Sequence, residues 1–186
     1  MKIFTVRHGQ TAWNLQRRLQ GHSDIPLDEV GLAQAQALSA RFKDVSIDAI
    51  YSSDMSRTFE TARAINAHHG VEITTSPALR EMNLGIYEGM VIDEIADQID
   101  WLHPDGGESR EAAHARIHAY LDEIIAKGHG TAVVVGHHGT SRASIAYFTE
   151  SNLNSLVGNT AVHCYEFAAD GKWTMTLENC TTHLDE

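Results

Sequence analysis

Residues 131–139 read TAVVVGHHG, a run rich in β-branched residues that ends on two histidines between two glycines. A run that is apolar at successive positions is typical of a strand buried on both faces, as in the middle of a parallel sheet. The run Ile3–Val6 has the same form and ends on Arg7-His8-Gly9. Both predicted strands therefore stop on residues that suit a chemical site better than a hydrophobic core.

The rest of the chain alternates between strand and helix patterns. The predicted strands are Lys2–Val6, Ile47–Tyr51, Val71–Thr75, Thr131–Val135 and a hairpin of Ala161–Phe167 with Lys172–Leu177. The predicted helices are Asp28–Phe42, with Val30, Leu38 and Phe42 on one face, a helix from the start signal Ser52-Ser53-Asp54 to about His69, and helices after Ser109 and after Gly139. This alternation predicts an α/β fold, a three-layer α/β/α sandwich with a mainly parallel sheet.

Length and composition predict one globular domain over residues 1–186, with 42% hydrophobic and 21% charged residues. No apolar run approaches the roughly 20 residues that cross a bilayer, and MKIFTVRHG lacks the apolar core of a signal peptide. The 2 cysteines, Cys164 and Cys180, form no CxxC motif. We therefore expect a protein of the reducing cytoplasm.

The net charge of -11 disfavours nucleic acid and anionic membranes as partners. A small anionic substrate stays compatible with this charge, because a local group of arginines reverses the field inside one cleft. His8 and His137 each follow a predicted strand, and Arg57 lies in the first turn of a predicted helix. The carboxyl ends of parallel strands share one edge of the sheet, so we expect these residues to meet there.

These residue types are suited to phosphoryl chemistry. An arginine offers a planar, permanently charged fork that matches phosphate oxygens, and a neutral imidazole is a nucleophile near pH 7. Gly9 would let the backbone approach an anion without a Cβ in the way. Arg7, His8, Arg57 and His137 are therefore interpreted as a phosphate pocket that contains a nucleophilic histidine.

The order of several longer motifs resembles that of the histidine phosphatase superfamily, in its phosphoglycerate mutase-like branch. The similarity runs from about Ile3 to about Arg142, with a weaker echo at Asn159. The motifs are VRHGQTAWN, LQGHSDIPLDEVGLAQA, IYSSDMSRTFETA, LREMNLGIYEG, PDGGES and VVVGHHG.

This resemblance implies a role for each matching residue. His8 would be phosphorylated as N-phosphohistidine, and Arg7, Arg57 and His137 would complete the phosphate pocket. Glu81 would give a proton to the leaving oxygen and then act as base toward water. The residues expected on the substrate side are Asn14, Gln20 and Gly21, and no cofactor or metal is implied. Two features depart from the common pattern: Gln10 stands where glutamate is frequent, and His138 follows His137 as a second candidate.

Three functions agree with this pattern. The first is a metal-independent phosphatase acting on a small phosphorylated metabolite. The second is a cofactor-dependent phosphoglycerate mutase, although the segment from Gly85 to Asp105 looks too short to seal the site from water. The third is a non-catalytic binding protein on the same fold. A zinc enzyme is a further alternative because the chain has 12 histidines. The resemblance also allows a homodimer, and the substrate stays open.

Several other side chains receive a structural interpretation first. Ser109 is expected to cap a helix, with substrate contact as the second interpretation. The tryptophans Trp13, Trp101 and Trp173 are expected to pack or to form pocket walls. Surface or local hydrogen-bonding roles are expected for His22, His103, His114, His118, His129 and His183, and a helix-end role for His68-His69.

Overall fold

The structure is a computed structural model that describes residues 1–150 and 156–184. Its strands are β1 (Lys2–Arg7), β2 (Ala49–Ser52), β3 (Ile73–Thr75), β4 (Thr131–Gly136), β5 (Val162–Phe167) and β6 (Trp173–Cys180). Its α-helices are α1 (Ala12–Leu15), α2 (Glu29–Phe42), α3 (Ser56–Ile65), α4 (Ile92–Ile95), α5 (Arg110–Ala126) and α6 (His138–Thr149). Each strand overlaps the range predicted for it from the sequence.

The six strands form one sheet in the order β3-β2-β4-β1-β5-β6. The first four run parallel, and β5 and β6 add an antiparallel edge. In the register of β1 against β4, Arg7 lies opposite Gly136. The two strands therefore end at the same level, and the residues that follow them, His8 and His137, emerge side by side.

Alternate residues of β4 face two different helix layers. Ala132 and Val134 belong to a core cluster with residues of α5 and α6, whereas Val133 and Val135 pack with residues of α2 and α3. All four are fully buried. Burial on both faces explains the continuous apolar pattern, since each buried valine contributes about 1.5–3 kcal/mol. The predicted three-layer α/β/α fold with a mainly parallel sheet is confirmed.

The prediction that Val30 lies on the buried face of α2 is wrong. Val30 is 50% exposed, and the buried stripe of α2 runs through Gly31, Ala35, Leu38 and Phe42. These positions repeat every three to four residues, as one helix face requires. Val30 precedes this stripe by one residue, which turns its side chain toward solvent.

The start of α3 also differs from the prediction. The helix begins at Ser56, and its N-cap residue is Met55, whose side chain makes no capping bond. The carboxylate of Asp24 takes that role from a distant loop. It accepts hydrogen bonds from the Ser56 backbone N–H at 2.9 Å and from the Ser56 hydroxyl at 2.8 Å. A cap supplied by a residue 32 positions away is not visible in the local sequence.

The described residues include both cysteines and all the helices named above. Cys164 is buried and Cys180 is half-buried, and both are free thiols. In residues 1–150 and 156–184, no helix combines the length and the apolar character that crossing a membrane requires.

Candidate active site

A cavity of about 540 Å³ lies at the carboxyl ends of the parallel strands. All the residues predicted for the site line it: Arg7, His8, Asn14, Gln20, Gly21, Arg57, Glu81 and His137. The structure thus brings together residues that are spread over more than 120 positions of the sequence, as the sheet-edge rule predicts. We call Arg7, His8, Arg57 and His137 the inner pocket.

His8 is fixed by its own backbone at the end of β1. Its N–H donates to Gly136 O at 3.0 Å, and its carbonyl accepts from Asn159 Nδ2 at 3.1 Å and from Thr160 N at 3.2 Å. The ring Nδ1 lies 2.7 Å from Gly9 O. A carbonyl oxygen only accepts, so Nδ1 carries the proton and Nε2 carries the lone pair.

The surroundings of His8 keep its ring neutral. Burial first, and then the charges of Arg7 and Arg57, hold the pKa of His8 well below its ordinary value of 6.5. Removing the ring from water and placing cations beside it both disfavour an added proton. At neutral pH the Nε2 lone pair is therefore available as a nucleophile.

The two arginines of the inner pocket are both held by backbone carbonyls. Arg7 Nη1 donates to Val157 O at 2.5 Å, and Arg57 donates to Ser23 O at 2.8 Å and to Gly21 O at 3.0 Å. Burial lowers the pKa of Arg7 to about 10, so the group stays charged at pH 7. The Nε atoms of Arg7 and Arg57 are buried and have no partner among the described residues. Such donors suit an anion that enters the pocket.

His137 faces His8 across the inner pocket. The two ring centroids are 5.3 Å apart, with an angle of 66° between the ring planes. Burial, followed by the charge of Arg57, holds the pKa of His137 well below 6.5. Neither ring nitrogen has a partner in the part of the chain that the structure describes. His138 also lines the cavity, but it lies in the first turn of α6 and is only half-buried.

Glu81 is placed at the N-terminus of α6. Its carboxylate accepts the Gly139 N–H at 3.0 and 3.1 Å and the Met82 N–H at 3.0 Å. A Cβ on Gly139 would lie only 2.1 Å from Glu81 Oε1. The last glycine of the VGHHG motif therefore makes room for the carboxylate, a function that the sequence does not reveal.

The backbone around Glu81 is held by an arginine that sequence analysis did not single out. Arg116 donates to the carbonyls of Ala78 at 2.9 Å, Arg80 at 3.0 Å and Glu81 at 3.3 Å. Glu108 binds the same guanidinium through two hydrogen bonds, of 3.0 and 2.6 Å. This pair lies between α5 and the Glu81 segment and orients the segment. The neighbouring Ser109 caps α5 by accepting from Ala112 N, which confirms its structural interpretation.

A second carboxylate, that of Glu88, organises the loop that holds Arg57. It accepts hydrogen bonds from the N–H groups of His22 at 2.8 Å and Ser23 at 2.9 Å, and from the Ser23 hydroxyl at 2.7 Å. Gly21 has a φ of +49°, and a Cβ there would lie 2.1 Å from Glu88 Oε1. A glycine is therefore required at this position, which turns the Gly21 carbonyl toward Arg57.

Gly9 and Gln10 serve the packing of β1 against α2. A Cβ on Gly9 would lie 2.5 Å from Gly31 O, so the missing side chain lets α2 pack close to the end of β1, a packing reason that the sequence did not reveal. Gln10 was expected near the mouth of the site. Its amide instead donates to Asp28 Oδ2 at 3.0 Å, and its N–H donates to Gln34 at 2.8 Å.

The cavity is strongly basic although the chain is acidic. Its lining contains Arg7, Arg17, Arg18, Arg57, Arg110 and Arg142, and Glu81 is the one carboxylate among the described lining residues. The charge of the lining is thus opposite to the net charge of -11. In residues 1–150 and 156–184, no group of three or more His, Cys, Asp or Glu side chains could hold a metal ion.

The outer part of the cavity contains groups that the sequence did not predict for the site. His114 was expected to be a surface or locally bonded group, but it lines the cavity beside Arg110 and Arg142. Trp101 is a pocket wall, as predicted, and is 37% exposed. The available signal was the spacing of Arg110 and His114, which are four residues apart and so share one helix face.

Known proteins match both the sequence and the structure. The chain is 36% identical over 193 residues to the probable phosphoglycerate mutase GpmB of Yersinia pestis, covering 97% of this chain and 82% of that protein. A phosphoserine phosphatase from Entamoeba histolytica, solved with 3-phosphoglyceric acid, superposes with a TM-score of 0.88 at 27% identity and 98% coverage of each chain. A mycobacterial glucosyl-3-phosphoglycerate phosphatase, solved with VO3, gives a TM-score of 0.87 at 27% identity, covering 96% of this chain and 99% of that one.

The family profile described as the histidine phosphatase superfamily (branch 1) matches residues 3–181. This range contains every residue of the inner pocket, together with Glu81. The fold is likewise that of the phosphoglycerate mutase-like structures. The chain therefore belongs to branch 1 of the histidine phosphatase superfamily.

Proposed function

We propose that the protein is a metal-independent phosphatase of the cytoplasm, that residues 1–186 form its one catalytic domain, and that it hydrolyses small phosphomonoesters through N-phosphohistidine on His8. The observation that carries the proposal is the state of the His8 ring. Its proton is held on Nδ1 by Gly9 O, which leaves the lone pair on Nε2, and the charges of Arg7 and Arg57, which line the same cavity, act on this ring.

In the first step, His8 Nε2 attacks the phosphorus of the substrate. Arg7 and Arg57 bind the non-bridging oxygens and offset their negative charge, while His137 donates from the opposite side. An N–P bond forms and the ester P–O bond breaks. Glu81, in its protonated form, gives its proton to the departing oxygen, which leaves as an alcohol.

In the second step, water replaces the alcohol at the same position. Glu81, now a carboxylate, removes a proton from this water as its oxygen attacks the phosphorus. The N–P bond breaks, its electron pair returns to His8 Nε2, and inorganic phosphate leaves. Arg7 and Arg57 bind the phosphoryl group throughout, so no metal ion is needed to neutralise it.

The access of water favours hydrolysis over phosphoryl transfer to a second substrate. The segment between Gly85 and Asp105 buries Tyr87, Ile95 and Ile99 against Leu19, in a small cluster beside the cavity. At the cavity, Trp101 is 37% exposed and Leu156 is 85% exposed. A mutase must protect its phosphohistidine from water, and the exposure of these described wall residues supports the entry of water. The 36% identity to the probable phosphoglycerate mutase of Yersinia pestis keeps the mutase as the second candidate.

The direct test is a screen of phosphomonoesters with the protein after exhaustive dialysis against EDTA. We expect phosphate release from several small esters and little conversion of 3-phosphoglycerate to 2-phosphoglycerate in the presence of 2,3-bisphosphoglycerate. Phosphate release that disappears on chelation and returns with one metal would contradict the metal-independent mechanism. Fast mutase turnover with slow phosphate release would identify the second candidate, and no turnover in either assay would favour a non-catalytic binding protein.

A further inference from the structure

Helices α5 and α6 present a matching pair of basic residues to the cavity. On α5 the pair is Arg110 and His114, and on α6 it is His138 and Arg142. Each pair is four residues apart, which places both side chains on one face of the helix. All four residues line the cavity. None of the four belongs to the inner pocket, whose helical member, Arg57, comes from α3.

The helices are held together, which fixes the two pairs relative to each other. His118, one turn after His114, donates through Nε2 to the Ala143 carbonyl of α6 at 2.9 Å. Beneath it, Ile117 and Ala143 belong to the same buried core cluster. The basic groups of α5 and α6 therefore face a shared space in the cavity.

Arg110 is anchored at the start of α5. Its guanidinium donates to Trp101 O at 3.2 Å, and its backbone N–H donates to Leu102 O at 2.8 Å. This leaves further guanidinium N–H groups of a fixed side chain at the cavity wall. A held arginine loses less conformational entropy when it binds an anion than a free surface arginine does.

Cationic groups lie close enough together in this outer region to affect one another's protonation. Burial, and then His118, Arg110 and Arg142, lower the pKa of His114. Burial, and then Arg110, lower the pKa of Arg142. Glu81 opposes both shifts, since it is the one carboxylate among the described lining residues. A bound anion would complement these cationic groups.

Glu81 lies between the two basic regions. Its carboxylate is bound to Gly139, which is preceded by His137 of the inner pocket and His138 of the outer pair. In the proposed mechanism Glu81 marks the position of the leaving oxygen. The leaving group must then extend from Glu81 away from His8, toward α5 and α6.

We infer that Arg110, His114, His138 and Arg142 form an anion subsite that binds a second negative group on the alcohol part of the substrate. This inference rests on the proposed phosphatase function and names its substrate class: phosphomonoesters whose leaving alcohol carries a carboxylate or a second phosphate. Both groups share the chemistry that arginine forks recognise.

Matched substrate pairs test the subsite and separate the two anions. The first pair is 3-phosphoglycerate and glycerol 3-phosphate, which differ by a carboxylate in place of a hydroxymethyl group. The second pair is propane-1,3-diol bisphosphate and its monophosphate. In each pair, the anionic member is the one with a second negative group, and its neutral partner is the one whose alcohol part is uncharged. We expect kcat/KM to be about tenfold or more higher for at least one anionic member than for its neutral partner, the usual effect of a hydrogen bond to a charged group.

The substitutions Arg110→Met and Arg142→Met remove each charge and keep much of the side-chain length. We expect each to lower kcat/KM for the preferred anionic substrate by about 10- to 100-fold, with a change of only a few-fold for its neutral partner. Arg63→Met is the control, because Arg63 is 68% exposed on α3 and does not line the cavity. Activity on the neutral partner shows in each variant that the fold is intact.

Three results would overturn the inference. These are equal kcat/KM values within both pairs, equal losses on anionic and neutral substrates in the arginine variants, or the same losses in Arg63→Met. In each case hydrolysis itself continues, so the proposed function survives. If no ester is hydrolysed, the proposed function fails, and calorimetric binding of the same four compounds to His8→Ala still tests the subsite. The inference then requires tighter binding of an anionic member and its loss in His8→Ala/Arg110→Met.

Discussion

The inner pocket and the anion subsite are both basic, but they are built in different ways. Arg7, His8 and His137 come from strand ends, and backbone carbonyls or N–H groups bind all of the inner pocket except the ring of His137. The anion subsite comes from side chains on two helix faces, and its members are half-buried. The difference indicates that the inner pocket is pre-organised for one fixed group, the phosphoryl, whereas the outer region is suited to selecting the alcohol.

Loss of the nucleophile should have the largest effect on activity. We expect His8→Ala to lower turnover of every phosphomonoester by about 10⁴-fold or more, because the remaining groups cannot form the covalent intermediate. Steady-state phosphate release measures this change. His103→Ala is the matched control, since His103 is 68% exposed and outside the cavity. Comparable losses of activity in both variants would contradict the role of His8 as the nucleophile.

Loss of the Glu81 carboxyl group, between the two regions, should have the second largest effect on activity. The size of this effect should depend on the leaving group. An alkoxide needs a proton to depart, whereas nitrophenolate leaves without one. We expect Glu81→Gln to slow alkyl phosphates by about 10²–10⁴-fold, the usual worth of general acid catalysis.

With p-nitrophenyl phosphate, Glu81→Gln should give a burst of nitrophenolate followed by slow turnover, because attack by water still lacks its base. Stopped-flow absorbance measures the burst. If both substrates show the same small loss, Glu81 is not the acid. Glu88 is then a poor replacement, since its carboxylate already accepts several bonds from the loop that holds Arg57. Glu108 is also a poor replacement, since its carboxylate already accepts two hydrogen bonds from Arg116.

Displacing the carboxylate should have a smaller effect of the same kind. In Gly139→Ala the new Cβ would lie 2.1 Å from Glu81 Oε1, so the carboxylate must move away from the N-terminus of α6. We expect alkyl phosphates to slow by about 10- to 100-fold, since small misplacements of a catalytic group have such effects. The control is Gly158→Ala, where the nearest atom would lie at 3.5 Å. A merely structural role for Gly139 would slow the burst of nitrophenolate from p-nitrophenyl phosphate as much as it slows the turnover of alkyl phosphates.

The smallest predicted effect is a change in the titration of His8. Its lowered pKa means that the neutral ring persists below pH 6.5 and that activity falls only as the pH drops through this lower pKa. The unfolded chain takes up the proton first, so stability also falls as the pH drops below 6.5. Arg57→Met should raise the pKa of His8, whereas Arg110→Met should leave it almost unchanged. NMR titration of ¹⁵N-labelled histidine measures the pKa of His8 in both variants. Equal changes in this pKa would contradict the separation of the inner pocket from the anion subsite.

Much of the inner pocket could be predicted because strand ends carry it. The runs Ile3–Val6 and Thr131–Val135 mark two parallel strands, and the residues that follow them must meet at one sheet edge. The groups that orient the site could not be predicted, because their contacts join distant positions. Gly139 and Glu81 are 58 residues apart, and Arg116 and Ala78 are 38 apart. The prediction of a surface or local role for His114 failed for a related reason, since its helix face becomes a cavity wall only when α5 packs beside α6.

Trapping of the intermediate tests the central claim most directly. The protein is mixed with ³²P-labelled substrate, quenched during turnover in alkali or in acid, and its bound label is counted. A phosphoramidate survives alkali and is lost in acid, so we expect label on the wild-type protein only after the alkaline quench and no label on His8→Ala. Label that survives acid, or that persists in His8→Ala, would contradict a phosphohistidine on His8.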